Sequence, residues 1–138
     1  MRIMAIDYGD AHTGIAISDP TGFLAGFTTV INAYRPEAVA EQIAALAREH
    51  GVEELVLGHP INMDGTRGPR SEKAQAMKTL LEETTSLPVV LWDERRTTID
   101  AHQILMNSGK NAKKRKKVVD AVAATLILEG YLTYKKTH

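Results

Sequence analysis

Three short apolar segments, RIMAID, GIAIS and FTTVIN, follow one another with only turn residues between them. After Pro36 each further apolar segment is separated from the last by a stretch of helical periodicity. That switch from a period of two to a period of 3.6 constrains the architecture more than any other feature of the chain. Strands joined by tight turns pair antiparallel, whereas strands joined through a helix lie parallel, because the crossover carries the chain back to its starting edge. The pattern predicts an α/β fold: a mixed five-stranded sheet, three antiparallel strands and then parallel ones, flanked by helices.

RIMAID is the first buried strand, and GIAIS, after a turn at residues 9–13, is its hairpin partner until Asp19-Pro20 stops it. Residues 24–32 form the third strand. Pro36 opens a helix in which Val39, Ile43, Leu46 and Ala47 recur at helical spacing, with Gly51 as its C-cap. ELVLG is a short buried strand. Residues 59–69, rich in Gly, Pro, Asn and Asp, read as a surface loop; residues 71–86 read as a second amphipathic helix, and PVVLW as the fifth strand. Thr97 or Thr98 caps a helix through Met106, and the final helix runs from Arg115 to Tyr134.

The 138 residues, 43% of them apolar, suit a single domain over 1–138 with a substantial core. The absence of cysteine excludes a disulfide framework and thiolate metal sites. Asp7 interrupts the first apolar run too early for a signal or membrane-spanning segment. A soluble, cytoplasmic protein with no membrane partner is expected.

The formal net charge of zero conceals an asymmetry. Lys110, Lys113, Lys114, Arg115, Lys116 and Lys117 contain no acid among them, which leaves 11 basic against 17 acidic residues elsewhere, a net −6. A basic stripe on an acidic body suits a polyanion, and a solvated face or flexible loop is the plain alternative reading of such a run. Lysines at a helix start oppose its macrodipole at up to about 0.3–1 kcal/mol each, so phosphate contacts give the placement a reason. The loop GHPINMDGTRGPRSE adds Arg67 and Arg70 to the cationic set, and its glycines, Asn62, Asp64 and Thr66 suit phosphate or sugar oxygens.

Among the acids, Asp7 ends the first strand with Gly9 close by, where a turn cap and a functional carboxylate are both natural readings. Asp120 shares a helical face with Ala124, Ile127 and Tyr131, so an unpaired charge there needs a cation or hydrogen-bond partner. Asp93 and Glu94 follow Trp92, and strand alternation lets only one of them face a given site. His12, His50, His59, His102 and His138 show no metal-ligand spacing and receive no catalytic role. Trp92 reads as core packing.

Together, IDYGDAHTGIAISD, LGHPINMDGTRGPRSE, LWDERRTT and KKVVDAVAATLILEGYL resemble the YqgF family, also called RuvX, of ribonuclease H-like proteins, described as Holliday junction resolvases or pre-ribosomal RNA nucleases. The resemblance covers nearly the whole chain. It implies a ribonuclease H-like fold and metal-binding, catalytic acids at Asp7, Glu94 and Asp120. The chain departs from the family pattern in carrying DAHTG where one or two basic residues are usual, GHP for GLP, and DERRTT for DERLTT.

Hard carboxylate oxygens suit Mg²⁺ or Mn²⁺, with a two-metal site implied. The family reading is a metal-dependent nuclease acting on precursor small-subunit ribosomal RNA or on branched DNA, as a monomer or homodimer, beside ribosome-maturation or transcription proteins. A non-catalytic nucleic-acid-binding module is the competing class. An ATP-using phosphotransferase of the actin and sugar-kinase type is disfavoured by a chain too short for paired domains.

Overall fold

The computed structural model describes residues 1–21, 25–59, 68–93 and 112–137, with backbone alone at 69–70, 112–120 and 136–137. In chain order these form β1 (Arg2–Asp7), β2 (His12–Ser18), β3 (Ala25–Asn32), α1 (Pro36–His50), β4 (Val52–His59), α2 (Pro69–Thr85), β5 (Val89–Asp93) and α3 (Ala112–Thr137). The strands make one five-stranded sheet in the order β3-β2-β1-β4-β5. β1 and β3 pair antiparallel with β2, while β4 lies parallel to both β1 and β5. This is the predicted mixed sheet, with the first strand at its centre.

Register assigns every side chain to a face. Met4 pairs with Ile17 and Ile6 with Ile15, and with Leu55 and Leu57 these residues meet α1 and α2 through Val39, Ile43, Met77 and Leu81. The intervening Ile3, Ala5, Ala16 and Val56 face the other way and are covered by Ala124, Ile127, Leu128, Tyr131 and Leu132 of α3. Each fully buried Leu, Ile or Met contributes about 1.5–3 kcal/mol over an exposed position, so β1, buried on both faces, anchors the sheet.

α1 has Pro at its start and Gly51 at φ 67°, ψ 38° beyond its end, as its sequence predicts. Several boundaries differ from expectation, β2 starting at His12 rather than Gly14 among them. β4 continues through His59, because its pairing with β5 extends to the His59–Asp93 pair. α2 starts at Pro69 rather than residue 71, with proline in the first turn where its missing N–H costs nothing. α3 starts at Ala112 rather than Arg115, since Ala, Lys and Arg are strong helix formers. Residue 24, residues 60–67 of the expected loop, and the helix expected at 97 or 98 through 106 lie outside the described residues. Among the described residues no helix is long and apolar enough to cross a membrane.

Candidate functional site

Asp7 is the last residue of β1 and is half-buried. Alternation places it on the face of Ile3 and Ala5, the face covered by α3. Its partner across the β2 ladder is Gly14, and one step beyond the Ile6–Leu57 pair Gly58 flanks it on β4. Neither adjoining strand therefore puts a side chain beside the carboxylate. Among the described residues the Asp7 side chain makes no hydrogen bond or ion pair. The carboxylate at the sheet end is thus flanked on both adjoining strands by glycine.

α3 passes over this face in a defined direction. Lys135 Nζ lies 3.3 Å from Glu54 Oε1 near the start of β4 and 5.6 Å from the centroid of the Tyr131 ring. Burial first, and then Glu54, raises the Tyr131 phenol well above its ordinary pKa. With these later turns tied to the beginning of β4, the earlier turns lead toward the sheet end that carries Asp7. Position 120 falls one turn before Ala124, at the end of the stripe continued by Ile127 and Tyr131. Lys113, Lys114, Arg115, Lys116 and Lys117 occupy the first two turns of α3, and no acid accompanies them in the first turn. Backbone alone is described at these positions, as at Arg70 in the first turn of α2; Arg67 lies outside the described residues.

The choice between Asp93 and Glu94 now has a geometric answer on one side. Asp93 pairs with His59, two residues along from the Leu57–Leu91 pair, and so faces α1 and α2. Trp92 pairs with Gly58 on the Asp7 face, its ring 5.8 Å from those of both Tyr131 and Tyr134. Asp93 is thus directed away from Asp7, and Glu94 lies outside the described residues. Trp92 packs on α3, as its sequence context predicts. Among the described residues no three acidic or histidine side chains gather into a ready metal cluster.

Two histidines gain neighbours that the sequence does not reveal. His59 is buried, with Nε2 2.6 Å from the hydroxyl of fully buried Ser71, which ties the end of β4 to the first turn of α2. His12 stands two residues from Gly14 on β2, on the Asp7 face and one pleat nearer the sheet end. Directly across the β2–β3 ladder is Asn32, whose Oδ1 lies 2.6 Å from His12 Nδ1. On the β1 side Gly9 comes so close that a Cβ there would collide with the His12 carbonyl oxygen. Only the register of two strand pairs exposes this arrangement.

The opposite face has its own hollow, about 410 Å³, lined by Tyr8, Asp10, Tyr34, Glu37, Lys73 and Met77. The Tyr8 phenol there is raised by burial and then by Asp10. Lys73 is 2.9 Å from Asp10, so its ammonium is already paired.

The family model described as "RuvX: Holliday junction resolvase" matches residues 1–134. A protein of Halothermothrix orenii named "Putative pre-16S rRNA nuclease" is 45% identical over 98% of this chain and 96% of its own length. One of the same name from Pelotomaculum thermopropionicum is 44% identical over 96% of this chain and 86% of its own. The solved structure of T. thermophilus RuvC in complex with Holliday junction substrate superposes with a TM-score of 0.65 at 14% identity, covering 99% of this chain and 96% of that one. At that identity the likeness shows the fold alone, the mixed ribonuclease H-like sheet of RuvC-like resolvases. With a match running from the first strand into the last helix, and relatives this similar along nearly their full length, the chain belongs to the RuvX family.

Proposed function

We propose that the protein is a metal-dependent nuclease that hydrolyses phosphodiester bonds of structured nucleic acid, with precursor small-subunit ribosomal RNA as its substrate ahead of a four-way DNA junction. The observation that carries this reading is Asp7: a carboxylate with no partner among the described residues, between side-chain-free Gly14 and Gly58, beneath a helix whose first turns carry five basic residues. The names of the relatives from Halothermothrix and Pelotomaculum favour RNA over DNA.

The donor chemistry fits a hard cation. Asp7 has only glycine beside it on the adjoining strands, and Mg²⁺ and Mn²⁺ take carboxylate oxygens by preference. Asp7, Glu94 and Asp120 would hold it; the face taken by Asp93 leaves Glu94 as the candidate of that pair. One or two such ions, when bound, supply Lewis acidity to phosphate oxygens and lower the pKa of a water. The chain's own residues bind and orient. Asp7 fixes where the scissile phosphate sits, while Arg67, Arg70 and the basic turns of α3 hold the flanking backbone, which positions the strand without reading its bases. The setting is the cytoplasm, alongside ribosome-maturation or transcription proteins.

The test is cleavage of a precursor small-subunit ribosomal RNA fragment and a four-way DNA junction, each with Mg²⁺ and with Mn²⁺, by wild type and Asp7→Asn. Metal-dependent cutting of the RNA by wild type and its loss in Asp7→Asn is the expected result. Cutting of the junction alone transfers the assignment to branched DNA. Binding of both with turnover of neither makes the protein a non-catalytic nucleic-acid-binding module.

A further inference from the structure

We infer that His12 reads the 2′-hydroxyl of a ribonucleotide next to the phosphate held at Asp7, and so makes this site selective for RNA over DNA. The role takes its setting from the nuclease reading above, but binding measured without turnover tests it separately.

The chemistry begins with Asn32. Its Oδ1 lies 2.6 Å from His12 Nδ1, and an amide oxygen only accepts hydrogen bonds, so Nδ1 carries the proton. In the neutral imidazole the other nitrogen, Nε2, is then a bare lone pair that can accept and cannot donate. This matters at a nucleic-acid backbone. Phosphate, ester and ring oxygens are all acceptors, and a DNA backbone offers no donor to such a nitrogen. The ribose 2′-hydroxyl is the one backbone donor, and it is the group that distinguishes RNA from DNA at a given site. An imidazole fixed by a side-chain amide oxygen is also a recognised way of setting the tautomer of a working histidine.

Position supports the assignment independently. His12 and Asp7 lie on the same face of adjoining strands, offset by one pleat, a diagonal relation of about 7–8 Å. That is a reach suited to a sugar next to a phosphate at Asp7. Gly9, the β1-side neighbour of His12, contributes no side chain to the space between them. Among the described residues Nε2 has no partner, and the His12–Asn32 bond is exposed where a nucleic-acid strand can approach. Asn32 is a positioning residue: it sits directly across the ladder from His12 and holds the ring without itself touching substrate.

The experiment measures affinities in EDTA at about pH 8, above the ordinary imidazole range. The probes are a stem–loop RNA with single-stranded flanks, the same RNA with 2′-hydrogen in place of its flanking 2′-hydroxyls, and DNA of the same sequence. Wild type prefers the RNA. His12→Ala lowers RNA affinity about 3- to 10-fold, the worth of one hydrogen bond, and leaves the deoxy probes unchanged. His12→Gln, whose side-chain oxygen accepts, recovers part of the preference, whereas His12→Leu, which neither accepts nor donates, does not. Asn32→Ala follows His12→Ala, and Asn32→Asp keeps the preference because a carboxylate still accepts from Nδ1.

An equal loss on RNA and DNA would overturn the assignment in favour of a phosphate contact, and so would unchanged RNA affinity in His12→Ala. Should His12→Ala fail to fold, His12→Gln against His12→Leu decides on the same criterion. A wild type that shows the His12-dependent RNA preference but never cleaves removes the nuclease reading and leaves this one standing.

Discussion

The two faces of the sheet are built for different purposes. Against α1 and α2 the strands present Met4, Ile6, Ile15, Ile17, Leu55 and Leu57, all essentially excluded from solvent. Against α3 the same strands present smaller groups, Ala5, Ala16 and Val56, and toward one end Gly14, Gly58, Asp7 and His12. Large branched side chains close the first face. On the second, side-chain volume on these strands falls toward the sheet end, and there β1 places a carboxylate, Asp7.

That division is easiest to break at its two extremes. Asp7→Asn keeps shape and removes charge, so cleavage should fall on the order of 10²–10³-fold while thermal stability stays within about 0.5 kcal/mol of wild type. A large drop in melting temperature would make Asp7 a structural acid instead. Ile43→Ala, in the α1 contact with the closed face, should do the reverse: about 2–5 kcal/mol less stable in urea unfolding, with cleavage per folded molecule unchanged.

Replacing Lys113, Lys114, Arg115, Lys116 and Lys117 by Gln sharpens the open face further. Nucleic-acid affinity should weaken, and the slope of log K against log salt should flatten by roughly 0.7–0.9 for each phosphate that is no longer neutralised. An unchanged slope would return those residues to the status of a solvated helix start.

The smallest effect comes from titration. Burial and Glu54 raise the Tyr131 phenol in the folded state, so its stabilising contribution is complete below the ordinary phenol pKa and is lost as pH rises through the higher folded value. Melting temperature should therefore decline in wild type as the solution is taken above about pH 10, and less so in Tyr131→Phe. Equal slopes in the two proteins would remove Tyr131 from the alkaline transition.

The antiparallel meander, the mixed five-stranded sheet and the two helices on the closed face were legible because they depend on local pattern. Pro36 and Gly51 bracket α1, and the meander declares itself by the shortness of its turns. What the sequence could not disclose was register. Asp93 and Glu94 are equivalent until the Leu57–Leu91 pairing assigns Asp93 to the closed face. His59 looks like a loop residue amid Gly, Pro and Asn; its partner Ser71 is 12 positions away, and its strand pairing is with a segment more than 30 residues on. His12 had no spacing to recommend it, because its neighbours Asn32 and Asp7 come from two other strands.

The cover that α3 provides for Ile3 and Ala5 also has a consequence in time. β1 leaves the ribosome before the helix that shields its open face, which is made only after β2, β3, α1, β4, α2 and β5 have followed. Until then the Asp7 face has no lid of apolar residues and the basic turns are not beside it. Contacts this distant in sequence also make for slow folding. On the proposed reading, a protein that acts on ribosomal RNA becomes competent only once the helix that completes its site has been delivered.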